Sequence, residues 1–242
     1  MKIPKVYLAA CDDYLFALKA THYLFEKFWP TADVTVLGYK KPNFKFNKNW
    51  KFISMGKDPG VEKWSNGLID YFNSIEDTHI IFGVEDHPPI KPVKTDIIEK
   101  MLHLMSDEKV GKITLTEDLG NRQFDFHSIK NGAQIIKTSQ TADYRLSTQY
   151  AIWQKDYFLK YLKRDMNPWD FEIYGSARAK NDGYDIVGTY GQPEQDYAIH
   201  SCEAVRRRNT DKPLEFFNPT CKAYHMELDK SYIEDMQNKG II

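Results

Sequence analysis

Residues 78–89 read Thr-His-Ile-Ile-Phe-Gly-Val-Glu-Asp-His-Pro-Pro, and the fold is decided by how this stretch is read. Ile80 to Val84 is a nearly unbroken apolar run rich in β-branched side chains, the pattern of a buried strand. It ends abruptly in Glu85-Asp86-His87, and Pro88 and Pro89 forbid the strand from continuing. Three potential metal-binding side chains therefore stand at the carboxyl end of a central strand, where open α/β sheets bind their ligands. A solvated acidic turn has the same composition, so the rest of the chain carries the weight of the choice.

Upstream, Val6 to Ala10 reads as a first strand running into Cys11-Asp12-Asp13. Asp12 or Asp13 is placed to cap a helix whose apolar residues fall at Tyr14, Ala17, Leu18, Phe25 and Phe28, with Pro30 closing it. Asp33 to Gly38 and Trp50 to Met55 read as further strands, and Gly56 to Gly60 as a loop. Val61, Trp64, Leu68, Ile69 and Phe72 then recur at helical spacing before the Thr78 strand. Alternation of strands and helices in this order predicts a parallel sheet.

Downstream, Thr95 or Asp96 is expected to cap a helix running through Ile97, Ile98, Met101, Leu102 and Met105. Lys112–Thr116, Phe124–Ile129 and Ala133–Lys137 read as short strands, with Asn131-Gly132 as a hairpin turn. Tyr144 to Trp153 reads as a strand entering a helix at Lys155–Leu162. Asn167-Pro168-Trp169-Asp170 has the features of a helix start: cap, proline at the first position, acid in the first turn. Tyr184–Val187 reads as a strand, and the tail from Asp229 as helical. The expected class is α/β: a mixed, mainly parallel central sheet flanked by helices, with a small antiparallel portion in the second half. No repeat or linker divides residues 1–242, so one domain is expected.

The 242 residues, 42% hydrophobic and 14% aromatic, are enough for one sizeable core. A formal net charge of −1, from 33 basic and 34 acidic residues, gives no global field for nucleic acid or an anionic membrane. Cys11, Cys202 and Cys221 show no paired spacing, which argues against a disulfide framework or zinc site and fits a reducing cytoplasm. Acids interrupt the apolar amino terminus, which suits neither a signal peptide nor a transmembrane helix, and no other run is long enough to span a bilayer.

Four groups of residues can carry chemistry. Asp12 and Asp13 can accept hydrogen bonds from a ribose or base, or simply cap a helix. Glu85-Asp86-His87 offers hard oxygen ligands and an imidazole, a set suited to Mn²⁺ or Mg²⁺ shared with substrate phosphates. Asp170 and Glu172 lie in the first turn of a helix, two apart, so they do not share a face; one can act as a general base while the other favours the helix dipole. His200 can complete a metal shell, and arginines of the Arg206-Arg207-Arg208 run can grip phosphate or form a solvated face. Lys57 and Arg145 are further candidates for phosphate or acceptor contacts. Most of the tryptophans are expected in the core, with one lining the acceptor site.

Taken together, three stretches resemble a nucleotide-sugar glycosyltransferase of the GT-A type, similar to small enzymes of bacterial surface-polysaccharide clusters, large DNA viruses and phages. They are Val6–Leu18, which resembles the nucleotide-binding strand and helix; His79–Ile90, which resembles the strand ending in the acidic DxD motif; and Ser147–Phe158 with Asn167–Ser176, which resembles the acceptor segment and the helix carrying the base. The third motif position is His87 instead of Asp. The resemblance implies a nucleotide-sugar-binding half at about 1–90 and an acceptor-binding half at about 91–242. It implies Cys11, Asp12, Asp13, Lys57, Trp64 and Arg206 on the donor, and Arg145, Ser147, Gln149 and Trp169 on a saccharide or glycoconjugate acceptor. Asp86, with Glu85, His87 and His200 as further candidates, would hold Mn²⁺ or Mg²⁺. Glu172, in preference to Asp170, would deprotonate the acceptor hydroxyl in an inverting transfer.

Two other readings compete. A nucleotidyltransferase also uses acids at strand ends, but it usually has a Gly-rich phosphate loop, and no GxxxxGK[ST] or strand–GxGxxG–helix occurs here. A non-catalytic nucleotide- or sugar-binding protein on a degenerate transferase scaffold is the alternative that His87 suggests.

Overall fold

In the computed structural model, which describes residues 2–117, 123–130, 132–190, 197–205, 216–217 and 227–242, each apolar run of the first half is a parallel strand. β1 (Val6–Ala9) lies between β2 (Val34–Gly38) and β4 (His79–Val84), and β3 (Trp50–Ser54) extends the sheet beyond β2. β5 (Val110–Thr114), β6 (Phe124–Lys130), β7 (Ala133–Thr138), β8 (Ala151–Gln154) and β9 (Asp185–Thr189) complete one nine-stranded sheet of order β3-β2-β1-β4-β8-β5-β9-β7-β6. β8 runs antiparallel to β4 and β5, β9 is parallel to β5, and β7 is antiparallel to β9 and β6. The sheet is thus mixed, parallel through its first four strands, with every antiparallel pair involving a strand of the second half.

The chain leaves β1 toward β2 and β3, then returns through α2 (Trp64–Ser74) to β4 on the other side of β1. That reversal makes a topological switch point between β1 and β4, with a crevice at their carboxyl ends. Strand alternation divides the core. Val6, Leu8, Val34, Val36 and Ile81 pack with α1 (Ala17–Phe28) and α3 (Thr95–Leu102), whereas Tyr7, Ala9, Leu37, Ile80 and Phe82 pack with α2 and α4 (Lys155–Tyr161). The second face also receives Phe171 from a composite helix: α5 (Pro168–Asp170), a π-helical turn at Phe171–Gly175, and α6 (Ser176–Arg178). α7 (Lys230–Asn238), capped by Asp229, packs on α1 through Tyr232 against Phe28.

Three local expectations are corrected. Asp12 and Asp13 do not cap α1: they form a separate 3-10 turn at Asp12–Tyr14, and α1 begins at Ala17 after Phe16. The Asp12 carboxylate instead accepts the Lys40 N–H at 2.9 Å. α3 has Lys94 at its cap, without a side-chain hydrogen bond, because the Lys94 N–H is tied to the Ala198 carbonyl at 2.9 Å and Thr95 is already helical. The strand expected over Tyr144–Trp153 is regular only from Ala151. Tyr144 has φ 51°, in the left-handed region, and the Leu146 N–H is taken by the Ser176 hydroxyl at 2.9 Å. Asn131 of the expected hairpin turn lies outside the described residues; Gly132 supplies φ 75° there.

One pairing has no local signature. Residues 198–204 run back antiparallel along 86–94: Ala204 N–H to Asp86 carbonyl at 2.7 Å, Ile90 N–H to His200 carbonyl at 2.8 Å, and a bridge between Pro89 and Ser201.

Close approach fixes one glycine. A Cβ on Gly83 would meet the Tyr150 ring at 2.4 Å. Gly83→Ala is therefore expected to destabilise the protein by about 1–3 kcal/mol in urea unfolding, as overpacking does. Adding Tyr150→Leu should recover part of that loss, giving a clearly non-additive double-mutant cycle.

Candidate functional site

The crevice at the switch point is a cavity of ≈ 630 Å³, a size that suits a nucleotide or small glycan. Its floor is Ala9 and Cys11 after β1 and Val84, Glu85, Asp86 and His87 after β4. One wall is Asp12, Asp13, Tyr39, Asp58, Gly60 and Val61; the other is Thr148, Pro168, Trp169, Glu203 and Val205. A second cleft of ≈ 640 Å³ lies at the amino ends of β5 and β9, where Lys137 is already paired with Asp185 at 2.8 Å. The carboxyl-end crevice is the one the topology assigns to a ligand.

Glu85 builds the floor. Its backbone continues the ladder, N–H to the Ala9 carbonyl at 3.1 Å, and its carboxylate turns back to accept the Cys11 N–H at 2.9 Å. The Glu85 carbonyl accepts the Thr21 hydroxyl, which ties α1 to the same corner. Burial, then the neighbouring Asp86 charge, pushes the Glu85 carboxyl up to about 8. Burial, together with the Glu85 carboxylate, likewise pushes the Cys11 thiol up to about 12, so Cys11 is a neutral wall residue and no nucleophile.

The first of these walls is a loop network. Asp58 accepts the Asp12 N–H at 3.0 Å and the Gly60 N–H at 2.8 Å, while Asp12 accepts from Lys40. The loops after β1, β2 and β3 are thereby locked together. Tyr39 stands in this wall with its hydroxyl buried and without a hydrogen-bond partner among the described residues. Burial, then the charges of Asp58 and Asp12, raise it to about 12, so it stays a neutral donor. A buried hydroxyl left unpaired at a pocket wall is costly unless a ligand or water completes it.

Thr148 of the opposite wall is held by Glu172, which does not itself line the crevice. Its Oε1 accepts both the Thr148 N–H at 2.7 Å and the Thr148 hydroxyl at 2.9 Å, and its Oε2 has no partner among the described residues. Asn167 caps the helix as expected, accepting the Asp170 N–H at 2.7 Å.

Of the residues singled out in the sequence, Cys11, Asp12, Asp13, Trp64, Glu85, Asp86, His87 and Trp169 line this single crevice. Gln149 stands behind His87, its Nε2 3.4 Å from Nδ1. Arg145, by contrast, is fully buried and held by Asp182 at 3.2 Å and by the Ser139 and Tyr184 carbonyls, so it is committed within the protein. Ser147 is buried against Lys112 Nζ at 2.9 Å. Lys57 is exposed on the loop after β3, outside the lining, and Asp170 does not line it either. His200 is buried in the 86–94 pairing, away from the lining residues. Arg206 lies outside the described residues. Tyr39, Asp58, Thr148 and Glu203 were missed; the first two follow β2 and β3, so the strand-end rule would have found them, whereas Thr148 and Glu203 arrive only by tertiary contact.

The four-residue metal set is not assembled by the protein. Among the described residues no group of three or more His, Cys, Asp and Glu side chains is placed to hold an ion, because Glu85 is turned under Cys11 and His200 is buried elsewhere. A hard divalent cation often takes one or two protein carboxylates and completes its shell from water and phosphate. Asp86, on the crevice floor, fits that shared mode. The electrostatics agree: the carboxylates of Asp12, Asp13, Asp58, Asp86 and Glu203, with the proton-retaining Glu85, line the cavity with no Lys or Arg among the described lining residues. A diphosphate entering such a field needs accompanying positive charge.

No protein-family model matches the sequence, and no curated protein matches it. Among solved structures the chain is similar to S. aureus TarS 1-349 (10% identity, 78% of this chain and 58% of that one, TM-score 0.49) and to a cytidylyltransferase from Leptospira borgpetersenii (11%, 100% and 97%, 0.47). It is also similar to the bifunctional IspDF from Campylobacter jejuni (14%, 81% and 52%, 0.39), of whose length it spans about half. No helix among the described residues is long and apolar enough to cross a membrane.

Glu85 holds its proton more tightly in the fold than in the unfolded chain, where the ordinary value is 4.5. Between that value and about 8 the folded protein retains a proton the unfolded chain has lost, so this group's contribution to stability falls as pH rises through the window. Glu85→Gln keeps an oxygen for the Cys11 N–H and removes the titration. In metal-free buffer its Tm is expected to exceed wild type at pH 8 by about 2–4 °C for each kcal/mol recovered, with the difference vanishing by pH 4.

Proposed function

We propose that this chain is a glycosyltransferase of the GT-A type that moves a sugar from a nucleotide-diphosphate donor to an acceptor hydroxyl with inversion. The observation that carries the reading is the two-sided crevice: an acid-lined floor ending in Asp86 at the switch point, and a facing wall whose Thr148 is bonded to Glu172, just outside the lining residues. Residues 1–90 supply the donor side and 91–242 the acceptor side, and the sequence resemblance assigns the same roles. The sparse cysteine content, without paired spacing, goes with a cytoplasmic enzyme.

In this mechanism the nucleoside lies against Asp12, Asp13 and Tyr39, with its diphosphate toward Asp86. A divalent cation, Mn²⁺ or Mg²⁺, bound at Asp86 would neutralise charge on the departing diphosphate. Glu172 takes the proton of the acceptor hydroxyl as that oxygen forms its bond to the anomeric carbon. The bond from that carbon to the diphosphate oxygen breaks on the opposite face, through an oxocarbenium-like state as in glycoside hydrolysis. Thr148 fixes the carboxylate so that little reorganisation is needed at transfer.

The test starts from a thermal-shift panel of nucleoside diphosphates and nucleotide sugars with and without Mn²⁺. One nucleotide family is expected to raise Tm in a metal-dependent way, and Asp86→Ala should abolish that gain. With the donor so identified, Glu172→Gln should lower kcat by about 10²–10⁴-fold while leaving the donor-induced shift intact. Release of pyrophosphate from a nucleoside triphosphate and a sugar phosphate would mark a nucleotidyltransferase instead, and binding without turnover a binding protein.

A further inference from the structure

Three large side chains of one short helical segment are left in solvent: Trp169 is 61% exposed, Ile173 49% and Tyr174 59%. Phe171 and Gly175 of the same segment are buried, so this outer face is not packing surface that failed to find a partner within the fold. Residues i and i+4 share a helix face, and the π-helical turn at Phe171–Gly175, with its i→i+5 bonding, brings the fifth residue round as well. Such turns concentrate at functional sites. The strip is continuous with the crevice, because Trp169 and the 49%-exposed Val61 also line it.

We propose that Trp169, Ile173 and Tyr174 form a platform for an uncharged saccharide chain that extends from the crevice, so that the acceptor is an oligosaccharide of two or more units. This rests on the glycosyltransferase reading and names its acceptor class. Aromatic rings offer flat apolar faces to the C–H faces of sugar rings, while the indole N–H and phenol O–H reach hydroxyls. Trp169 and Tyr174 stand about one helical turn, roughly 5 Å, apart along the axis, about the length of one sugar ring, so each can meet a successive unit. Charge selects against other occupants. The carboxylates of the crevice repel anionic glycans and lipid phosphates. Of the flanking arginines, Arg164 is paired with Asp70 and Arg178 donates to the Tyr161 carbonyl, so neither is free for the anionic headgroups a bilayer surface would offer.

The test titrates the full chain with neutral malto-, cello- and chito-oligosaccharides of one to six units, followed by tryptophan fluorescence, with phosphatidylcholine vesicles as the rival occupant. One series is expected to bind with affinity that rises over the first two or three units. Trp169→Ala should weaken that binding by about tenfold or more, and Tyr174→Ser should flatten the length dependence while the nucleotide-induced thermal shift stays at its wild-type value. Both positions are exposed, so unchanged Tm of the variants serves as the folding control. Failure of every series to bind a protein that still responds to nucleotide overturns the platform and leaves the donor site standing. Vesicle binding lost in the same variants also overturns it, assigning the strip to a membrane. Length-dependent sugar binding without any nucleotide response supports the platform and overturns the transferase reading instead.

Discussion

The structure turns on the hydrogen bond from the Cys11 backbone N–H to the Glu85 carboxylate. β1 and β4 are paired in parallel, and both end at this point; without a partner, the first free N–H beyond β1 would be a buried donor with nothing to bond. Glu85 supplies that partner from the adjacent strand end, and its own carbonyl receives the Thr21 hydroxyl from α1. Strand, strand and helix are thereby joined at one residue, and the crevice floor is fixed before any ligand arrives. The cost falls on the carboxyl group, whose charge is disfavoured by burial and by Asp86.

That arrangement separates two adjacent acids. Glu85 is tied under the end of β1 by the Cys11 N–H, whereas Asp86 stands on the crevice floor. A sequence motif of consecutive acids cannot show which member is which, because successive residues at a strand end point in opposite directions. Here the inward position went to the longer side chain, which reaches across to β1.

The legible parts of the sequence were those with local causes. Unbroken apolar runs located β1, β2, β3 and β4, and the strand-end rule located the crevice and most of its floor. Asn167-Pro168 located a helix start because capping is a short-range matter. The misreadings have a common origin in long-range competition. Asp12 was drawn from its cap by the Lys40 N–H, Lys94 was set by Ala198, and Arg145 was claimed by Asp182, so residues whose local signals were sound were used by partners far away in sequence. His200 was grouped with Glu85-Asp86-His87 by chemistry, whereas in space it is buried beside Ile90. Thr148 acquires its place from Glu172, a contact no spacing rule encodes.

The return of residues 198–204 along 86–94 has a bearing on assembly order. Glu203 and Val205 reach the crevice only through this pairing, whose partners are more than a hundred residues apart. Closing such a loop is entropically late work, whereas the pairings among β1 to β4 are drawn from the first ninety residues. On a growing chain the floor of the crevice would stand open and acidic while the residues that close it are still to be made. A binding site here comes into being in two instalments, with the scaffold first and its far edge last.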